Sequence, residues 1–93
     1  MTCGLSLPQL AVLKYLVEKR CVRVDAAKRY EAIIRDFAGK GIDVDEVLES
    51  LLGSYISKTK KQAKIHYYVA DLGETLRILK AHGLWEPGRI HKL

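Results

Sequence analysis

Cysteine is almost missing from this chain of 93 residues, which has only Cys3 and Cys21. Two cysteines are too few for a disulfide framework, and they lack the Cys-x-x-Cys spacing of a metal or redox motif. The segment between them reads as a helix roughly 21 Å long at 1.5 Å per residue. A disulfide spans Cα atoms no more than ~7 Å apart, so no intrachain bond is expected. Two reduced thiols are one reading, and an intersubunit disulfide through Cys3 or Cys21 is the other. Long apolar runs are absent as well. Nothing approaches the ~18 residues of a membrane span, so no membrane partner is expected. Met1 to Pro8 shows no basic start followed by an apolar stretch, so no secretory signal is read and a cytoplasmic protein is expected. Repeats, low-complexity runs and linkers are lacking too.

Catalytic signals are also missing. There is no glycine-rich phosphate loop, no nucleophile elbow and no carboxylate pair with a credible cleft. His66, His82 and His91 lie far apart without ligand spacing. Neither an enzyme, a metal site nor a cofactor is expected. What remains is 48% hydrophobic and 29% charged, the balance of a folded domain and not of a disordered chain. The length allows one domain over residues 1–93 with a single small core, and residues 86–93 are expected to be a flexible tail.

The periodicity supplies the elements. Ser6 is a helix N-cap with Pro8 in the first turn, and Leu10, Leu13, Leu16 and Val17 then recur at helical spacing, predicting a helix over Leu7–Arg20. Cys21 to Val24 is a short β-prone stretch. Asp25 reads as the next cap, with Ala26, Tyr30, Ile33, Ile34 and Phe37 on one face of a second helix that Gly39-Lys40-Gly41 ends. Asp43 followed by Glu46 is a variant capping box for a third, short helix over Val44–Leu52. From Ser54 the period becomes two. Tyr55 and Ile56 open one strand, and Ile65, Tyr67 and Val69 alternate with His66, Tyr68 and Ala70 in another. The hairpin loop falls within Lys60–Ala63, without the Asn-Gly or Asp-Gly that would fix its turn type. Asp71 and Glu74 repeat the cap pattern for a last helix bearing Leu72, Leu76 and Leu79, which stops at Gly83.

Two helices joined by a short glycine turn form a helix-turn-helix signature. Leu51-Leu52-Gly53-Ser54-Tyr55-Ile56, a lysine-rich loop, and Tyr67-Tyr68-Val69-Ala70-Asp71-Leu72-Gly73 extend it. With these motifs the chain resembles winged helix-turn-helix DNA-binding domains, most closely the small archaeal, archaeal-virus and PadR-like transcription regulators. The resemblance implies an α+β fold: a three-helix core, a small antiparallel sheet with a β-hairpin wing, and an extra C-terminal helix. It further implies double-stranded DNA as partner, transcription regulation, and a homodimer held by the terminal helices.

Charge is segregated along the chain. The net charge is +5, yet residues 43–53 carry four acids and no base, and residues 54–70 carry four lysines and no acid. Lys58, Lys60, Lys61 and Lys64, interleaved with Ser57 and Thr59, suit a hairpin that neutralises DNA phosphates. The bland alternative is a solvated hairpin whose lysines block edge-to-edge pairing. Lys28, Ala32 and Arg35 at i, i+4 and i+7, with Arg29 beside them, suggest a second phosphate-binding face on the second helix. The third helix departs from the family pattern. Asp45, Glu46 and Glu49 with Ser50 nearby offer three carboxylates and no Arg, Lys, Asn or Gln to read bases. Those acids also suit the positive end of a helix dipole. They keep open a second reading, a protein-interaction module whose acidic third helix meets a basic protein partner. A small RNA-associated protein is allowed by charge alone. The expected dimer surface joins Ile78, Leu84 and Trp85 with Leu10 or Tyr15 of the first helix, and Trp85 is equally readable as a core plug.

Overall fold

Ser6 starts the first helix. Its side chain accepts from the Gln9 N–H while the Gln9 carboxamide accepts from the Ser6 N–H, a complete capping box ahead of α1 (Leu7–Glu18). The structure, a computed structural model, describes residues 5–84. Beyond α1 it contains a 3-10 turn (Val24–Ala26), β1 (Lys28–Arg29), α2 (Tyr30–Phe37), α3 (Val44–Leu51), β2 (Ile56–Lys61), β3 (Lys64–Val69) and α4 (Leu72–Ala81). Among the described residues the architecture is α+β, four helices with one antiparallel three-stranded sheet in the order β1-β3-β2.

Leu10, Val12, Leu13, Leu16 and Val17 are all buried, so α1 is covered around a broad arc of its surface. They pack with Ile33 and Phe37 of α2, Leu48 and Leu51 of α3, Ile56 and Val69 of the sheet, and Leu79 of α4. Asp43 and Asp71 cap α3 and α4 as the sequence suggests, each accepting a backbone N–H three residues on. Helix α1 ends two residues before the expected boundary. Arg20 adopts a positive φ of 62°, its N–H bonds Val17 O at 2.9 Å, and the Cys21 N–H bonds Leu16 O at 2.9 Å. That is a Schellman ending with arginine where glycine is usual.

The expected strand over Cys21–Val24 does not form. Only the Cys21 carbonyl reaches the sheet, accepting from the Val69 N–H at 2.8 Å, and the chain then turns through the 3-10 segment. The true edge strand is β1, with Lys28 opposite Tyr67 and Arg29 opposite His66. This pairing holds Lys28 and Arg29 extended and delays α2 to Tyr30. Asp25 is therefore not its cap, Ala26 is not on its face, and no Lys28–Ala32–Arg35 helical face exists. Arg29 is the N-cap and makes no side-chain capping bond.

The hairpin closes through two residues, Gln62 and Ala63, with φ of 52° and 66°. Two positive central φ values are the mark of a type I′ turn, which suits the right-handed twist of the strands but favours Asn-Gly. Holding two non-glycine residues there costs about 1 kcal/mol or more each. Replacing Gln62-Ala63 by Asn-Gly is expected to stabilise the protein by roughly 1–2 kcal/mol, raising the urea midpoint at unchanged slope. A lower midpoint would contradict the turn geometry. Thr75 supplies a second test. It is 0% exposed in α4, and its Oγ1 has no hydrogen-bond partner among the described residues. Thr75→Val removes an unsatisfied buried hydroxyl at nearly constant shape and is expected to add about 1–2 kcal/mol in the same assay.

Candidate nucleic-acid interface

Antiparallel register decides which lysines share a face, because directly opposed residues project to the same side of a sheet. Ile56 opposes Val69, Lys58 opposes Tyr67, and Lys60 opposes Ile65. Ile56, Tyr67 and Val69 are buried, so this is the inner face, which meets the helices. Ser57 opposes Tyr68, Thr59 opposes His66, and Lys61 opposes Lys64, forming the outer face. Strand β1 extends both faces. Lys28 joins Tyr67 and Lys58 on the inner side, and Arg29 joins His66 and Thr59 on the outer side. The structure thus brings Ser57, Lys58, Thr59, Lys60, Lys61 and Lys64 together on one hairpin, with Lys28 and Arg29 on the same sheet and not on a helix. Among the described residues, none of the four hairpin lysines has an ion-pair partner within 4.0 Å. Arg29 lies 4.0 Å from Glu31, and both side chains are more than half exposed. Arg35 stays on α2, paired with its neighbour Asp36 at 3.6 Å.

The acidic side of α3 is exposed at Asp45, Glu46 and Glu49. The Tyr30 hydroxyl donates to Asp45 Oδ1, which fastens α2 to α3. The inner face of the sheet lies near these acids. Burial, then the charges of Glu49 and Asp45, push the Tyr67 phenol up. A cleft of about 340 Å³ separates the hairpin tip from the helices, with the carboxylates of Glu31 and Asp45 beside Tyr30, Ala63, Lys64, Ile65 and Tyr67 in its lining. Ser50 does not share the lysine surface. Gln9 Nε2 donates to its Oγ at 2.9 Å, and Oγ donates to Val47 O at 2.7 Å, so it ties α3 to the start of α1. No spacing in the sequence signals these Gln9–Ser50 and Tyr30–Asp45 links, because they join elements far apart in the chain.

The expected dimer surface is only partly accessible. Leu10 is 1% exposed and belongs to the core, so it cannot meet a second copy. Tyr15 is engaged within the chain, its ring edge-on to Phe37 at 5.0 Å and its hydroxyl donating to Asp36 Oδ2 at 2.5 Å. Ile78 and Leu84 are half-buried on and beyond α4. Trp85, Cys3 and the expected tail lie outside the described residues. Cys21 is 3% exposed, and burial raises its thiol pKa. It is therefore not positioned for an intersubunit disulfide. Among the described residues the large exposed apolar side chains are Leu7 and Val24, which the spacing does not single out. Among the described residues no cluster of His, Cys, Asp or Glu could hold a metal, and no helix is long and apolar enough to cross a membrane.

The Tyr15–Asp36 bond has a consequence for acid stability. The Tyr15 hydroxyl first, then Arg35 and Lys28, hold the Asp36 carboxyl below its ordinary value of 3.8. A carboxylate lowered in the folded state contributes stability that is complete above its ordinary value and lost as pH falls through the native value. Tyr15→Phe removes the main cause. Its urea midpoint is expected to fall less steeply than that of the wild type between about pH 5 and 2; parallel curves would show that the bond is not formed in solution.

No protein-family model, curated protein or solved structure matches this chain. The chemistry of its own surface carries the functional reading.

Proposed function

We propose that this protein is a winged-helix double-stranded DNA-binding protein that regulates transcription, with β2, β3 and their turn as the wing. The observation that carries the reading is the hairpin itself. It gathers four lysines with Ser57 and Thr59, and none of the lysines has an ion-pair partner among the described residues. Ammonium groups in that setting displace condensed counterions from a duplex, and hydroxyls add hydrogen bonds to phosphate oxygens. The order helix, edge strand, helix, turn, helix, hairpin supports the same reading. Base reading by α3 is weak here. A carboxylate can accept from cytosine N4, but three acids facing a duplex repel its backbone. Binding is thus led by the backbone, and useful specificity comes from two half-sites read by a dimer built around Ile78, Leu84 and Trp85.

A second reading is favoured by one observation. Asp45, Glu46 and Glu49 are exposed with no cation within 4.0 Å among the described residues, a surface suited to a basic protein partner. A salt titration with duplex DNA separates the two. The DNA reading expects affinity to fall steeply with salt. Replacing Lys58, Lys60, Lys61 and Lys64 together by alanine should weaken binding to many sequences alike and lower the salt slope by up to about 0.9 per lost phosphate contact. Absence of duplex binding at low salt overturns the DNA reading in favour of the protein partner. An unchanged slope in the quadruple variant removes the hairpin as the anchor.

A further inference from the structure

Of the five tyrosines, Tyr67 is part of the buried core, and Tyr15, Tyr30 and Tyr55 pack against it. Among the described residues Tyr68 does neither. The register explains the difference. Tyr68 lies opposite Ser57, out of step with the buried Tyr67 and Val69, so it projects from the outer face of the sheet. His66 projects from the same side two residues earlier, with Thr59 opposite on one strand and Arg29 on the other. Both rings are half-buried, and both stand on β3, the central strand of the three.

The neighbours of the two rings on β2 are short, Ser57 beside Tyr68 and Thr59 beside His66. The His66 ring is steadied from below. Its Nδ1 lies 3.1 Å from the Lys64 carbonyl, which can only accept, so Nδ1 donates there. The charge of this face is positive. Arg29 flanks His66, Lys61 follows one row toward the turn, and no acid stands in the rows Ser57–Tyr68, Thr59–His66–Arg29 and Lys61–Lys64. Glu31 lies 4.0 Å from Arg29, but both side chains are more than half exposed and solvent screens the pair. Lys64 also lines the cleft with Glu31 and Asp45, where its charge meets carboxylates, so Arg29 and Lys61 are the cations of this face.

Outward residues on one strand recur about every 6.7 Å, twice the rise per residue. Nucleotides in a stacked strand follow one another at about 3.4 Å. Two rings at the double spacing suit two bases that are drawn out of each other's stack, and base faces are open only in an unpaired strand. We infer that the outer face of the sheet is a binding site for single-stranded nucleic acid. Tyr68 and His66 each stack one base, Arg29 and Lys61 neutralise the phosphates, and Ser57 and Thr59 offer hydroxyls to the backbone. The site does not depend on the duplex-binding reading. Strand propensity alone also favours tyrosine at such a position, so the test separates the ring from the propensity.

Fluorescence anisotropy provides it, with a labelled oligothymidine about 12 nucleotides long, an abasic strand of the same length and charge, and a duplex. The wild type is expected to bind oligothymidine about tenfold or more tighter than the abasic strand, because stacking on the two rings is worth at least that. Tyr68→Thr keeps a strand-forming residue and removes the ring, and it is expected to lose most of that preference. Tyr68→Phe keeps the ring and is expected to stay within about twofold of the wild type. Equal binding of the two strands by the wild type overturns the site, and this comparison decides even where the threonine variant does not fold. An undiminished preference in folded Tyr68→Thr overturns it too. Oligouridine beside oligothymidine shows which sugar the site takes, by the tighter complex. Duplex binding without oligothymidine binding removes the site and leaves the duplex reading, and the reverse result removes the duplex reading and leaves the site.

Discussion

Strand β3 is hydrogen-bonded along both edges, and that two-sided pairing constrains the rest of the chain. On one edge β2 runs the full length of β3, from Ile56 opposite Val69 to Lys61 opposite Lys64. On the other edge β1 takes Tyr67 and His66, and the Cys21 carbonyl takes the Val69 N–H. Leaving those groups unpaired beside a buried Tyr67 and Val69 would cost desolvation with no return. To satisfy them, α1 must end early enough for Cys21 to reach Val69, and α2 must wait until Lys28 and Arg29 have paired. The left-handed Arg20 and the uncapped start of α2 are both local costs that this pairing offsets.

The same constraint separates what the sequence reveals from what it hides. Ser6, Asp43 and Asp71 act through donors three residues away, so capping at all three helices is readable along the chain. The period-two alternation from Ile65 to Val69 is equally local. A strand of two residues has no period, and Lys28-Arg29 becomes one only because Tyr67 and His66 sit beside it. Asp25, an acid ahead of apolar residues at helical spacing, looks like a cap for the same reason. Local preference there is overruled by a partner nearly forty residues away in the chain.

For the candidate interface, the lysine cluster was legible and its two-sidedness only half so. Alternation places Lys58 and Lys60 on the side of Ile56, which an apolar strand start already marks as inward. The side taken by Lys64 depends on the turn length, and Gln62-Ala63 carries no residue that announces a two-residue loop. Arg29 could not be assigned at all without β1. The fastening bonds Tyr30–Asp45 and Gln9–Ser50 were hidden because side-chain pairs between distant elements leave no spacing signature. They matter to function by subtraction, since they commit groups that otherwise look available for a partner.

The acids of α3 and the lysines of the hairpin differ in how much of their presence the fold explains. Asp43 caps α3, Asp45 accepts from Tyr30, and Glu46 lies in the first helical turn, where a negative charge suits the dipole. Most of that charge is accounted for without a partner. The lysines cap nothing and have no ion-pair partner among the described residues. Protection of the free β2 edge explains why charges stand there. A uniform sign serves that protection too, because two like-charged edges repel where alternating acids and bases could pair across strands. The acid-free run from Ser54 to Ala70, whose lysines serve no helix cap and no ion pair among the described residues, is the feature on which the proposed duplex-binding reading rests.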